Sequence, residues 1–146
     1  MYKGLYIIAA DDCQDIVWEK IIQTFSLHGS SWIVDCLDCL YDTKLVPGYH
    51  STEKLISELK DNKYVFFARM IGVPEGENLD RKIATADDYF NSNCHSIALC
   101  VDGNDFELFS KYEDQLYALR EAIPSCCIDR IEWTDDSLGG RSIFRV

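Results

Sequence analysis

Positive charge is scarce in this sequence. It holds 14 Lys and Arg residues against 25 Asp and Glu residues, a formal net charge of -11 over 146 residues. Nucleic-acid binding depends on basic side chains that displace the counterions of the phosphate backbone, and a surplus of carboxylates also repels anionic lipid. We therefore expect a protein that binds neither nucleic acid nor a membrane, and that attracts a basic protein partner.

Long apolar runs are missing as well. No stretch approaches the roughly 20 residues that a membrane-spanning helix needs. The apolar run near the N-terminus is about five residues long and ends at Asp11 and Asp12, which is too short for a secretory signal. We expect a soluble, cytoplasmic protein.

Proline and glycine are few, with three and eight copies, which leaves no room for a long flexible linker. The hydrophobic fraction is 47% and the charged fraction 27%, as is typical of globular chains. A chain of this length buries about two-thirds of its unfolded surface in one domain. Residues 1–146 are therefore predicted to form a single domain.

The known catalytic and phosphate-binding motifs are also missing. There is no glycine-rich phosphate loop, no G-x-S-x-G and no H-E-x-x-H. Residues 139–141, Gly-Gly-Arg, offer a flexible turn with one cation, which is a weak indication of an anion site. The sequence favours a non-enzymatic role and predicts no catalytic residue, no metal ligand and no cofactor.

Seven cysteines are present, and an odd number without an export signal favours free thiols in a reducing compartment. Cys36 and Cys39 have the spacing of a redox or zinc pair. They lie in a predicted strand, however, where residues three apart point to opposite faces. A zinc site would need a second chelating pair, and the two other close pairs, Cys126–Cys127 and Cys94–His95, are adjacent in sequence and unsuited to chelation.

The three histidines, His28, His50 and His95, show no metal-ligand spacing. A dyad of His50 with Cys94 or Cys100 stays open, because such partners meet only in the folded chain. Otherwise Cys100 is predicted as a small core residue. A thiol-dependent enzyme or small-ligand binder would use Cys36, Cys39 or Cys94.

Apolar and β-branched runs predict seven strands, at residues 2–10, 31–41, 64–68, 96–101, 106–109, 128–133 and 142–146. Residues 102–105, Asp-Gly-Asn-Asp, predict a tight hairpin. A calcium loop is excluded there, because Phe106 and Glu107 occupy positions that need an oxygen ligand and a glycine. Residues 73–80 are predicted as a polar loop.

Four segments are predicted as helices. Asp12 is the expected N-cap of the first and Gly29 its C-cap, and the second starts at residue 51 or 52. Capping boxes at residues 85–88 and 110–113 open the third and fourth. The apolar faces are Trp18, Ile21, Ile22 and Phe25 in the first helix, Thr52, Leu55, Ile56 and Leu59 in the second, and Tyr112, Leu116, Leu119 and Ile123 in the fourth.

The predicted order is β-α-β-α-β-α-β-β-α-β-β, which indicates an α+β fold of helices packed on one mixed β-sheet. Carboxylates are scattered along it, and they predict a solvated surface or a face complementary to a basic protein. Which of them form such a face is not evident from the sequence. They include Asp11, Asp12, Asp15, Asp35, Asp38, Asp42, Glu75, Glu77, Asp80, Asp87, Asp88, Asp135 and Asp136.

The chain resembles a bacterial family of small cytosolic domains of unknown function, most closely over residues 63–146. The likeness lies in residues 64–68, 87–94, 98–102, 106–111 and 131–135 with Arg141, and more loosely in residues 3–8 and 31–33. These are mostly strand and cap residues. The resemblance therefore implies a shared fold, and it brings no activity or catalytic residue with it.

The sequence thus favours a small acidic cytosolic domain that binds another protein and is not an enzyme. One alternative is an immunity-type inhibitor of a basic nuclease toxin, which has the same charge complementarity. The other alternative is the thiol-dependent enzyme or small-ligand binder.

Overall fold

The computed structural model describes residues 4–39, 45–60 and 65–134. Within these ranges the strands are β1 Gly4–Ala9, β2 Ser30–Cys39, β3 Gly48–Ser51, β4 Val65–Pro74, β5 Ser96–Val101, β6 Asp105–Ser110 and β7 Ile128–Thr134. The helices are α1 Gln14–Phe25, α2 Thr52–Lys60, α3 Ala86–Asn91 and α4 Glu113–Ala122, followed by a 3-10 helix at Ser125–Cys127. None of these helices is long and apolar enough to cross a membrane.

The described strands form one sheet in the order β3-β2-β4-β5-β6-β1-β7. The α+β class is confirmed, but the expectation of a mixed sheet is wrong, since each described pairing is antiparallel. The physical reason lies in the crossovers. The connection through α4 joins β6 to β7, which run in the same direction but are separated by β1, so that neither has a parallel neighbour.

Apolar side chains cover both faces of the sheet. The larger core lies beneath α1, α2 and α4, and it contains the predicted α1 face together with Leu55, Leu59, Leu116 and Leu119. A smaller core on the other face joins Tyr89 of α3 to Ile71, Ile97 and Leu99 of the central strands. The strand alternation thus supplies apolar side chains to both layers.

Two predicted helix caps are wrong at α1. Asp12 lies in a left-handed conformation with φ 64°, and Cys13 is the N-cap residue. The helix ends at Phe25, and its C-cap is Ser26, three residues before the expected C-cap Gly29. Gly29, with φ 83°, instead turns the chain into β2. Glycine adopts a positive φ without steric cost, which explains why a glycine stands at this turn.

The two predicted capping boxes have different outcomes. Thr85 and Asp88 form one at α3, as expected. The box at α4 is wrong, because Ser110 is the last residue of β6 and Tyr112 is the N-cap. The Ser110 hydroxyl donates to Gln115 Oε1 at 3.0 Å. The residue thus braces the start of α4 without capping it, and Tyr112 is half exposed.

The hairpin at residues 102–105 is confirmed, and positive φ falls on Asp102 and Gly103. The short strand β3 was not predicted, because its four residues contain little apolar pattern and pair with β2 through the backbone. β4 continues to Pro74, into the segment predicted as a polar loop. The predicted strand at residues 142–146 and the turn before it lie outside the described residues.

Leu119→Ala tests the placement of α4. The Leu119 side chain is fully buried, so we expect a loss of about 2–5 kcal/mol in the free energy of unfolding from the cavity left behind. Glu121→Ala on the exposed side of the same helix should stay within about 0.5 kcal/mol of wild type. Urea denaturation measures both. Equal midpoints for Leu119→Ala and wild type would show that α4 does not cover the sheet.

Candidate functional site

Among the described side chains, Cys39 and Cys94 do not meet in a catalytic arrangement. Cys36 and Cys39 both lie on β2, as predicted, with backbone partners Arg69 and Val65 on β4. Cys94 is buried beneath α3, and burial raises the pKa of its thiol. A buried thiol with a raised pKa is a poor nucleophile at neutral pH.

The dyad of His50 with Cys94 or Cys100 is not formed. His50 lies on the edge strand β3, and β2 and β4 separate it from β5, which carries Cys100. Three interstrand spacings amount to about 14 Å. Burial raises the pKa of Cys100 as well, so it behaves as the predicted core residue. Cys94 packs in the smaller core, whereas His50 pairs with Trp32, which belongs to the larger core on the other face.

A cleft of about 120 Å³ opens where α1 turns into β2. Ser31 and Ser51 are direct cross-strand partners there, and Thr52 begins α2 beside them. The turn after β4 closes the other side. We call this space the hydroxyl cleft, and its lining residues are Ser26, Gly29, Ser30, Ser31, Ser51, Thr52, Glu53 and Glu75.

Hydrogen bonds fix the positions of the side chains in the wall of the hydroxyl cleft. Trp32 Nε1 donates to Ser26 Oγ at 2.9 Å. The Thr52 hydroxyl lies 3.1 Å from both Ser26 Oγ and the Ser30 carbonyl oxygen. Ser26 and Thr52 thus tie the last turn of α1 to the first turn of α2. Positions of the hydroxyls are therefore set by two helices and by a buried indole.

Two exposed carboxylates stand at the rim of the hydroxyl cleft. Glu53 lies in the first turn of α2, where a carboxylate is favoured by the helix dipole. The carboxylate of Glu75 lies against Gly29, since a Cβ atom at that position would come within 2.9 Å of Glu75 Oε2. Neither carboxylate forms an ion pair with any residue in the described ranges.

A second cleft of about 120 Å³ adjoins the first and shares Gly29 and Ser30 with it. We call it the histidine cleft, because the buried His95 ring forms part of its wall. The other lining residues are Phe25, His28, Pro74, Tyr112 and Gln115.

The His95 ring is held between two serine hydroxyls. Its Nε2 lies 2.8 Å from Ser30 Oγ, and its Nδ1 lies 2.6 Å from Ser96 Oγ. Gly72 leaves room for the ring, because a Cβ atom there would come within 2.7 Å of His95 Cε1. Trp32 packs edge-on against the ring. The imidazole is thereby fixed in position.

The pair of Ser30 and His95 has the spacing of a nucleophile and its base, but the Ser30 hydroxyl has a second hydrogen-bond partner. The Ser30 hydroxyl donates to the carbonyl oxygen of Phe25 at 3.2 Å. It also lies 2.8 Å from His95 Nε2, the shorter of its two hydrogen-bonding distances. Burial lowers the pKa of His95 to about 4, with Lys111 and His28 acting in the same direction. The ring is therefore neutral at pH 7.

Sequence reasoning missed both clefts. Ser30 and His95 are 65 residues apart, and isolated serines and a lone histidine carry no motif. Within the described ranges, no group of three or more His, Cys, Asp or Glu side chains could hold a metal ion. The pairing of Ser31 with Ser51 depends on β3, which was not predicted. The signal that the sequence does contain is a cluster of serine and threonine residues near the end of a helix.

Comparison with known proteins gives one family. The model described as "Protein of unknown function (DUF2691)" matches residues 3–144. No curated protein and no solved structure matches the chain.

His95 makes stability depend on pH in a defined window. Its pKa falls from 6.5 in the unfolded chain to about 4 in the folded chain, so the unfolded state takes up the proton first as the pH falls. The contribution is fully present above pH 6.5 and is lost toward pH 4, by about 3 kcal/mol. We expect the stability gap between wild type and His95→Gln to shrink by that amount from pH 7 to pH 4.

Urea denaturation at half-unit pH steps measures this gap. Subtraction of the variant removes the carboxylate titrations that both proteins share. A gap that is constant between pH 7 and pH 4 would show that His95 is not a buried neutral histidine.

Proposed function

This chain belongs to the DUF2691 family of proteins of unknown function, and we propose that it is a non-enzymatic protein-binding domain. In this proposal the hydroxyl cleft receives a lysine or arginine side chain of a basic partner. The observation that carries it is the pair of carboxylates, Glu53 and Glu75, at the rim of a concave site lined by hydroxyls and without a cation from the described residues.

The hydrogen-bonding capacity of the hydroxyl cleft suits a cationic side chain. Ser31 Oγ accepts the Gly76 N–H and Ser51 Oγ accepts the Lys54 N–H, each at 3.2 Å. Each hydroxyl oxygen keeps a second lone pair for another donor. A guanidinium has five N–H donors and an ammonium three, and neither has an acceptor. Hydrogen bonds from such a group to the two carboxylates would be charge-assisted and therefore strong.

The overall charge supports the same class of partner. A net charge of -11 attracts a basic protein over distances of about 10 Å at 0.1 M salt and speeds its association. The hydroxyl cleft then provides specific contacts with one side chain, which the overall negative charge of the protein cannot provide. A basic nuclease toxin is one partner with this chemistry, and the immunity-type role is a special case of the proposal.

An enzymatic role has less support from the same geometry. The Ser30 hydroxyl is engaged by the Phe25 carbonyl oxygen, and the His95 ring is neutral and buried. Cys94, the buried candidate of the thiol hypothesis, has a raised pKa. Hydrogen-bond donors and acceptors near the clefts are thus used to hold the fold, whereas the rim carboxylates remain exposed.

The double variant Glu53→Gln, Glu75→Gln tests the cleft. The probe is a short fluorescent peptide with one arginine between glycine and serine residues, compared with the same peptide carrying citrulline. We expect wild type to bind the arginine peptide more tightly, and the double variant to bind it at least about tenfold more weakly, because a hydrogen bond to a charged group contributes about 1.5–3 kcal/mol. Fluorescence anisotropy at low and high salt measures the affinities.

The control is Glu58→Gln, Glu121→Gln, which removes the same charge away from the cleft. It should keep most of the wild-type affinity. Equal weakening of binding by the two double variants would show that overall charge is responsible for the binding. If neither double variant weakened binding, the hydroxyl cleft would not be part of the interface. A pull-down of basic proteins with the same variants then extends the result to a natural partner.

A further inference from the structure

Three cysteines that are distant in sequence meet at the start of α1. The end of β1 pairs with the start of β7, with Ala9 opposite Ile128. The Ala10 N–H donates to the Cys127 carbonyl oxygen at 2.8 Å, and the Cys13 N–H donates to the Ala10 carbonyl oxygen at 3.1 Å. These backbone hydrogen bonds bring Cys13 close to Cys127. Cys126 is the residue before Cys127 in the chain and therefore lies beside it.

The Cys127 thiol has the thiols of Cys13 and Cys126 as its neighbours. Cys127 is buried and packs in the larger core, Cys13 is partly buried against that core, and Cys126 is exposed. Cys13 is also the N-cap residue of α1, yet it makes no side-chain capping hydrogen bond, so its sulfur is not held by the helix.

Geometry disfavours one of the three possible pairs. Adjacent residues have Cα atoms about 3.8 Å apart across a trans peptide, below the usual disulfide range of about 4.4–6.8 Å. A bond between Cys126 and Cys127 would therefore be strained. Cys13 is the remaining neighbour of Cys127, and it is the more accessible of the two.

We propose that Cys13 and Cys127 are a reversible redox site, which hydrogen peroxide oxidises to a disulfide. The Cys13 sulfur attacks one peroxide oxygen, the O–O bond breaks, and one water leaves with the thiol proton to give a sulfenic acid. The Cys127 sulfur then attacks the Cys13 sulfur, the S–OH bond breaks and a second water leaves. Two thiols lose two electrons in total, and one peroxide gains them.

The electrostatics of the cluster are consistent with this order of events. The hydrogen bond with Cys13, together with burial and Cys126, raises the pKa of Cys127 to about 12. Cys127 is therefore protonated beside Cys13, so Cys13 is the thiol that meets the peroxide first, and the Cys127 proton leaves with the second water. The reduced form agrees with the free thiols expected from the sequence, and the site is independent of the proposed partner binding.

Stoichiometric hydrogen peroxide on the folded, reduced protein tests the site. We expect two fewer titratable thiols than the seven of the sequence, with full recovery after dithiothreitol. A non-reducing digest should yield residue 13 linked to the peptide that contains residues 126 and 127. Because that peptide holds two cysteines, the Cys126→Ser variant completes the assignment, and the link should persist in it.

Cys13→Ser and Cys127→Ser should each abolish the link, and Cys39→Ser, at another partly buried cysteine, should leave it unchanged. Cys13 is partly exposed, so its variant decides the matter even if Cys127→Ser fails to fold. A link that survives in Cys13→Ser, a link lost in Cys126→Ser, or oxidation with no link to residue 13 would each overturn the proposal.

Discussion

The position of α1 on the sheet is the constraint from which the rest of the structure follows. At its start, the buried Gln14 side chain donates to the backbone carbonyls of Val65 and Gly103 and accepts the Val65 N–H at 2.9 Å. These groups belong to β4 and to the hairpin after β5. A displacement of α1 from the centre of the sheet would leave these buried backbone groups without hydrogen-bond partners. Such a loss is energetically costly, so the hydrogen bonds of Gln14 fix the position of the helix.

The other end of α1 transfers this constraint to the two clefts. Ser26 closes the helix and accepts the Trp32 N–H, and Ser30 both bonds the Phe25 carbonyl oxygen and meets His95. One short turn thereby fixes one wall of the hydroxyl cleft and one wall of the histidine cleft. The carboxylates of Glu53 and Glu75 reach the same rim from α2 and from the turn after β4. The fold itself therefore positions the groups that line the two clefts.

Local patterns predicted the parts of this structure that depend on local physics. The α1 face, the hairpin at residues 102–105 and the capping box at Thr85 follow from periodicity and backbone preference over a few residues. The predictions that were wrong or missing depend on contacts between residues that are distant in sequence. Ser110 satisfies Gln115 rather than a helix N-terminus, and the antiparallel sheet depends on where β1 inserts. The clefts depend on contacts such as Ser30 with His95, for which no short-range pattern exists.

In the proposed function the hydroxyl cleft, rather than the acidic surface as a whole, recognises a cationic side chain. Nitrogen-15 NMR with acetyl-arginine amide tests it most directly, because each backbone amide reports its own surroundings. We expect saturable shifts confined to the amides around Gly29, Ser31, Ser51 and Glu75, and none with acetyl-citrulline amide. Shifts spread over the exposed acidic residues, or centred on the sheet face around Asp105 and Glu132, would contradict it.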